Sequence, residues 1–125
     1  MPIIRVGDMR EFAAGGLRAC GLATPGCGAV EVMVWRYRLE AGCLPPPVVR
    51  DHEAVVAVLS GAGALVEGDL KLPFSAGDVL IVPAHRLNRV GAGSGSGPLD
   101  CLLAMPAATR HYTPTGDEMS LPWAR

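Results

Sequence analysis

Glycine and proline recur so often in this sequence that a long helix has no room to form. There are 16 glycines and 11 prolines among 125 residues, and both residue types interrupt helix interiors. Between them lie short runs rich in β-formers. "EVMVWRYRLEAG" (Glu31 to Gly42) alternates, with Met33, Trp35, Tyr37 and Leu39 on one side and Val34, Arg36, Arg38 and Glu40 on the other. That is the pattern of a half-buried strand. "IIRV" (Ile3 to Val6) reads as a first strand, "DMREFAA" as a helical turn or a strand edge, and "AVVAVLSGAGAL" as two strands joined at a glycine turn. Two further strands flank "SAGD", and "PLDCLLAMP" (Pro98 to Pro106) is a strand bounded by prolines. Eight or more short strands without a strong helix predict an all-β barrel or sandwich.

A chain of this length is one domain by size and can bury a core without disulfides or metal as staples. The formal charge is −1, from 11 basic and 12 acidic residues. No basic block suits a phosphate backbone, so no nucleic-acid partner is expected. The opening "MPIIRVGDMREF" lacks the apolar core of a secretory signal, and no apolar run reaches the length of a membrane span. A cytoplasmic protein with no membrane partner is the expectation. Cys20, Cys27, Cys43 and Cys101 form no C-x-x-C pair, which in a reducing compartment reads as four free thiols.

Two stretches carry a family resemblance. "GCLPPPVVRDHEAVVAVLSG" (Gly42 to Gly61) and "GDVLIVPAH" (Gly77 to His85) resemble the two sequence motifs of the cupin superfamily. Gly42 and Gly61 fall on the opening and closing glycines of the first motif, and Gly77 and Pro83 on scaffold positions of the second. The resemblance covers about residues 31 to 106 and implies a cupin-type double-stranded β-helix, a jelly-roll barrel with little helix. Residues 1–30 then form an N-terminal strand and loop, open to exchange in a dimer. Residues 107–125 form an ordered tail or a lid.

The resemblance also implies where a metal would sit, and there the chain departs from the family. The first motif's two histidine positions fall on Val48 and Arg50, and its glutamate position on Ala54. The second motif's histidine position falls on Asn88. Valine and alanine cannot coordinate, arginine is cationic and repels a metal ion, and an amide oxygen is a poor ligand. The implied site is degenerate, and no metal or other cofactor is expected. Asp51, His52, Glu53 and His85 are the donors from which a rim site could be rebuilt. Glu53 is one residue off the glutamate position, and in a strand that offset turns it to the outer face. His85 occupies a position that is usually glycine.

In place of the metal, the register aims Arg50 and Asn88 inward, with Trp35, Tyr37, Val48, Ala54 and Val56 as the wall. An inward guanidinium needs a partner. A protein carboxylate would serve, and so would the anionic group of a ligand, held by two parallel hydrogen bonds. Three functions compete. One is a metal-free pocket for a small anionic metabolite. The second is a cupin enzyme of isomerase, cyclase, decarboxylase or dioxygenase type, with Tyr37, His52 or His85 as acid or base, metal-free or with a metal site rebuilt on His52 and His85. The third is a structural or regulatory partner whose pocket is filled by its own side chains. A second copy of the chain is the expected protein partner, in a homodimer favoured by the edge at Ile3 to Val6.

Overall fold

The computed structural model describes residues 2–95 and 97–125. It contains twelve strands and three single-turn 3-10 helices. The strands are β1 (Glu11–Ala14), β2 (Leu17–Ala23), β3 (Val32–Leu39), β4 (Val49–Arg50), β5 (Ala54–Ser60) and β6 (Ala62–Glu67), followed by β7 (Leu70–Ser75), β8 (Val79–Val82), β9 (Arg89–Ala92), β10 (Leu99–Pro106), β11 (His111–Tyr112) and β12 (Glu118–Met119). No helix among the described residues is long and apolar enough to cross a membrane.

One wall is an antiparallel six-stranded sheet in the order β1-β2-β3-β10-β5-β8. Two three-stranded sheets, β12-β11-β4 and β7-β6-β9, make the opposite wall. They are joined where Val48 bridges Asn88: the Val48 N–H donates to the Asn88 carbonyl at 2.8 Å, and the Asn88 N–H to the Val48 carbonyl at 3.0 Å. The two walls form a jelly-roll barrel, the arrangement by which all-β chains limit exposed sheet edges.

Alternation fills the interior. Met33, Trp35 and Leu39 of β3, Val56 and Val58 of β5, and Leu99, Cys101, Leu103 and Met105 of β10 are buried in one cluster. The β5–β6 turn needs a glycine at Gly61. Its φ is +84°, and an added Cβ would lie 2.3 Å from the Pro98 carbonyl oxygen. This close approach ties the first motif's last glycine to the start of β10.

One expectation is corrected here. Ile3 to Val6 is not a strand. Residues 3–5 have no regular structure, and Val6–Asp8 is a 3-10 turn. Ile3 and Val6 are 68% and 86% exposed, so this run of β-formers finds no neighbouring strand to pair with, and the first strand comes only at Glu11. The tail beyond residue 106 holds short regular elements of its own. It supplies β11 and β12 to the second wall and a 3-10 turn over Pro122–Ala124.

Candidate functional site

Two registers meet at the centre of the barrel. β4 places Arg50 directly opposite His111 on β11, and the bridge before β4 places Val48 opposite Asn88. Facing them from the six-stranded wall are Trp35 and Tyr37 of β3, Val56 of β5 and Cys101 and Leu103 of β10. Met119, Leu121 and Trp123 close the remaining side. Together with Leu17, Pro45, Pro46, Arg89 and Val90 they line a cavity of about 100 Å³. Apart from Arg50, His111 and Asn88, the wall is mostly apolar and aromatic. The Trp35 ring lies 5.1 Å from the His111 ring at a 30° tilt, and 6.0 Å from Trp123 in an edge-to-face pair. The aromatic contacts hold these rings in fixed orientations.

Arg50 is 8% exposed. Its Nε donates to His111 Nε2 at 3.2 Å. Among the described residues no carboxylate lies within ion-pair distance of its guanidinium. Burial therefore goes uncompensated and pulls its pKa down to about 10, against a smaller opposing effect from Tyr37. It remains a cation at neutral pH. Because arginine can only donate, Nε2 of His111 must carry the lone pair, so neutral His111 holds its proton on Nδ1. Burial first, and the Arg50 charge second, hold the His111 pKa down at about 4. Tyr37 is pushed up to about 12, chiefly by burial. It keeps its hydroxyl proton and acts as a hydrogen-bond donor. The Cys101 thiol is likewise pushed up to about 12 by burial and stays protonated.

Three further polar atoms of this lining have no partner among the described residues: Trp35 Nε1, Asn88 Oδ1 and Trp123 Nε1. Asn88 is 3% exposed, and its Nδ2 donates to the Arg86 carbonyl at 3.0 Å. That bond fixes the amide orientation and leaves Oδ1 as a free acceptor. Each such orphan costs about 1–3 kcal/mol when buried. All three belong to residues that line the cavity, as does Arg50.

The lining does not fit a metal. It offers one imidazole whose lone pair already accepts from Arg50, one amide oxygen, a Cys101 thiol that burial keeps protonated and a fixed positive charge. No group of three or more His, Cys, Asp or Glu suited to a metal occurs among the described residues.

Most of the residues singled out from the sequence come together here: Trp35, Tyr37, Val48, Arg50, Val56 and Asn88 all line the cavity. Ala54 does not. It is fully buried in the core beside Val82 and does not reach the cavity. His52 and His85 also lie outside it. His52 Nδ1 is 2.7 Å from Asp51 Oδ1, and the His52 side chain is 42% exposed. His85 is exposed with φ +63°, the left-handed conformation that the usual glycine would adopt without cost. They form no rim site with Glu53, which is exposed. Cys43 is half-buried, packs on the core and stays out of the cavity. Sequence reasoning missed His111, Met119, Leu121 and Trp123. The isolated apolar residues of the tail were the one signal that it covers something.

No protein-family model matches the sequence, and no curated protein matches it significantly. Solved structures do match. The polyketide cyclase RemF from Streptomyces resistomycificus is 17% identical, with a TM-score of 0.76 over 99% of this chain and 89% of that one. A cupin 2 domain-containing protein from Halorhodospira halophila is 22% identical, with a TM-score of 0.71 over 79% and 70%. KdgF from Halomonas sp. is 15% identical, with a TM-score of 0.69 over 85% and 94%. At such identities the likeness speaks to architecture, and one architecture hosts many chemistries. In its topology, its motif glycines and its inward-facing site, the chain is a cupin-fold barrel.

Proposed function

We propose that this barrel binds a small organic anion in a metal-free pocket, with Arg50 as the anchor. The observation that carries the reading is the buried Arg50 guanidinium, which lines the cavity without a carboxylate partner. Of the two partners open to an inward arginine, the protein carboxylate is missing within ion-pair reach among the described residues. The anion of a ligand would restore the charge balance and gain a charge-assisted, two-pronged hydrogen bond. The open cavity also argues against a barrel packed shut by its own side chains.

The test is Arg50→Met, which keeps most of the apolar stem and removes the charge. Thermal melts with and without benzoate, acetate or phosphate are compared with the parent. The parent should gain stability with at least one of these anions, and the variant should not. Without ligand the variant should melt at or above the parent, because a buried unpaired charge costs stability. Binding should weaken by about 2–5 kcal/mol, the usual range for removing one side of a buried charge pair. A parent whose melting is indifferent to all three anions would overturn the reading.

A second reading is catalysis of the cyclase or isomerase type without a metal. It is favoured by Tyr37 and His111, a proton-bearing phenol and a neutral imidazole lining the same cavity. It also fits the near full-length likeness to a protein described as a polyketide cyclase. A cavity of about 100 Å³ is too small for a multi-ring substrate unless the covering segment at Met119–Trp123 moves. Product formation from a ring-sized anion that is lost in Tyr37→Phe, with binding retained, would support catalysis over simple binding.

A further inference from the structure

We infer that the ligand is a flat single-ring acid carrying a hydroxyl group, and that Asn88 selects it by accepting that hydroxyl's proton in a hydrogen bond. This deepens the anion-binding reading and rests on it. The orphan atoms supply the argument. Arg50 asks for an anionic group. Asn88 Oδ1 is buried without a donor, and its amide cannot turn over without losing the bond from Nδ2 to the Arg86 carbonyl. We assign the missing donor to the ligand. Tyr37 remains a protonated donor, and the Trp35 and Trp123 indole N–H groups are unpartnered donors. Further ligand oxygens would satisfy them.

Shape narrows the class. Trp35, Tyr37, His111 and Trp123 present four ring systems to one small space, with Val48, Val56 and Leu103 as the aliphatic remainder. A dry cavity of about 150 Å³ accommodates benzene in another protein, so about 100 Å³ admits one ring with small adjustments and not two. A non-planar or longer chain would leave the aromatic faces unfilled. The occupant that meets charge, donor count and shape together is a hydroxylated aromatic or similarly conjugated ring carboxylate.

The probes are benzoate, its three monohydroxy isomers, the matching methoxy isomers and cyclohexanecarboxylate. Binding is read by tryptophan fluorescence and by melting shift, in the parent and in Asn88→Leu. At least one hydroxybenzoate should bind the parent tenfold or more tighter than benzoate. Its methoxy counterpart, which keeps the oxygen but has no proton to donate, should lose that gain. Cyclohexanecarboxylate should bind more weakly than benzoate. In Asn88→Leu the ratio of hydroxybenzoate to benzoate affinity should collapse to about one. If Asn88→Leu does not fold, the hydroxy-against-methoxy comparison in the parent still decides the matter. If benzoate, cyclohexanecarboxylate and all hydroxybenzoates bind equally, the anion site stands and this inference fails. If none of the anions binds, both fall together.

Discussion

At the scale of single residues, the contact that most constrains the chemistry is the one between Arg50 and His111. A histidine beside a buried cation is driven neutral, and here burial adds to the effect, so the folded-state pKa falls to about 4 from an ordinary value of 6.5. The depressed value means that the folded state holds the proton more weakly than the unfolded chain does. His111 therefore contributes its full stability above about pH 6.5, and loses it progressively as pH falls toward 4. The loss is on the order of 3 kcal/mol if the whole shift is expressed. His111→Gln keeps an acceptor for Arg50 and does not titrate. Urea unfolding at pH 7 and pH 4.5 should show a much smaller acid loss in the variant than in the parent. Equal losses would mean that other groups govern the acid limb. Arg50 and Asn88 were legible in the sequence because the spacing of the two motifs, counted from Gly42, Gly61 and Gly77, reaches them, although Arg50 stands in a strand of two residues and Asn88 in an isolated bridge. His111 was not, because it lies in the tail, beyond both motifs. Ala54 shares the buried face of β5 with Val56, yet only Val56 lines the cavity, a difference that strand parity does not encode.

At the scale of elements, the segment from β12 to the 3-10 turn works as a strap over the cavity. Met119, Leu121 and Trp123 face the cavity, while exposed Ser120 and Pro122 alternate with them. Its seat on β2 is shaped by a glycine. A Cβ added at Gly21 would meet the Trp123 carbonyl oxygen at 2.3 Å and the Thr24 Cγ2 at 2.7 Å. Beyond it the buried Thr24 hydroxyl donates to the Arg125 carbonyl at 2.6 Å. Gly21→Ala should therefore lift the strap and leave β2 in place. We expect a loss of about 1–3 kcal/mol, as for other overpacked sites, with a red-shifted tryptophan emission and faster proteolysis confined to residues beyond 113. Unchanged emission and proteolysis would show that the strap is not seated there. The strands of the barrel could be read from "VLSGAG" and "AGDVLIVPA" because turn glycines and β-branched runs agree locally. The strap was legible only as an ordered tail or a lid, since its place comes from tertiary contacts with β2 and Trp35 and not from local propensity. The reverse failure befell Ile3 to Val6, where propensity was favourable and no partner strand was within reach.

At the scale of the whole molecule, one face of the barrel is left apolar. Strand register aligns Val34, Ala104, Val55 and Ile81 in one row across β3, β10, β5 and β8, and Leu102, Ala57 and Val79 in the next. Their sequence neighbours Trp35, Leu103, Val56 and Val82 point into the core, so alternation sends these two rows outward. Ile81 and Val79 are 64% and 61% exposed, and Leu59 and Val32 extend the patch. At its border one carboxylate meets two guanidinium groups. Arg36 grips Asp100 through two bonds of 3.0 and 2.6 Å, and Arg38 approaches the same carboxylate at 3.8 Å with its side chain 45% exposed. A second sheet stacked on the apolar rows would leave the surplus Arg38 charge at the rim, in reach of solvent, which a self-associating face tolerates. We propose that two copies pair through this face in a homodimer, and not through Ile3 to Val6, which form no strand. Light scattering at about 10–50 micromolar, a range in which obligate dimers persist, should report twice the chain mass. Ile81→Lys should give a monomer, because a charge in the middle of the outer row cannot be desolvated cheaply. The variant should keep the barrel's strand content and its response to ring carboxylates, since Ile81 lies on the opposite side of its sheet from the cavity. A parent that runs as a monomer, or an Ile81→Lys dimer as tight as the parent, would remove this face from consideration.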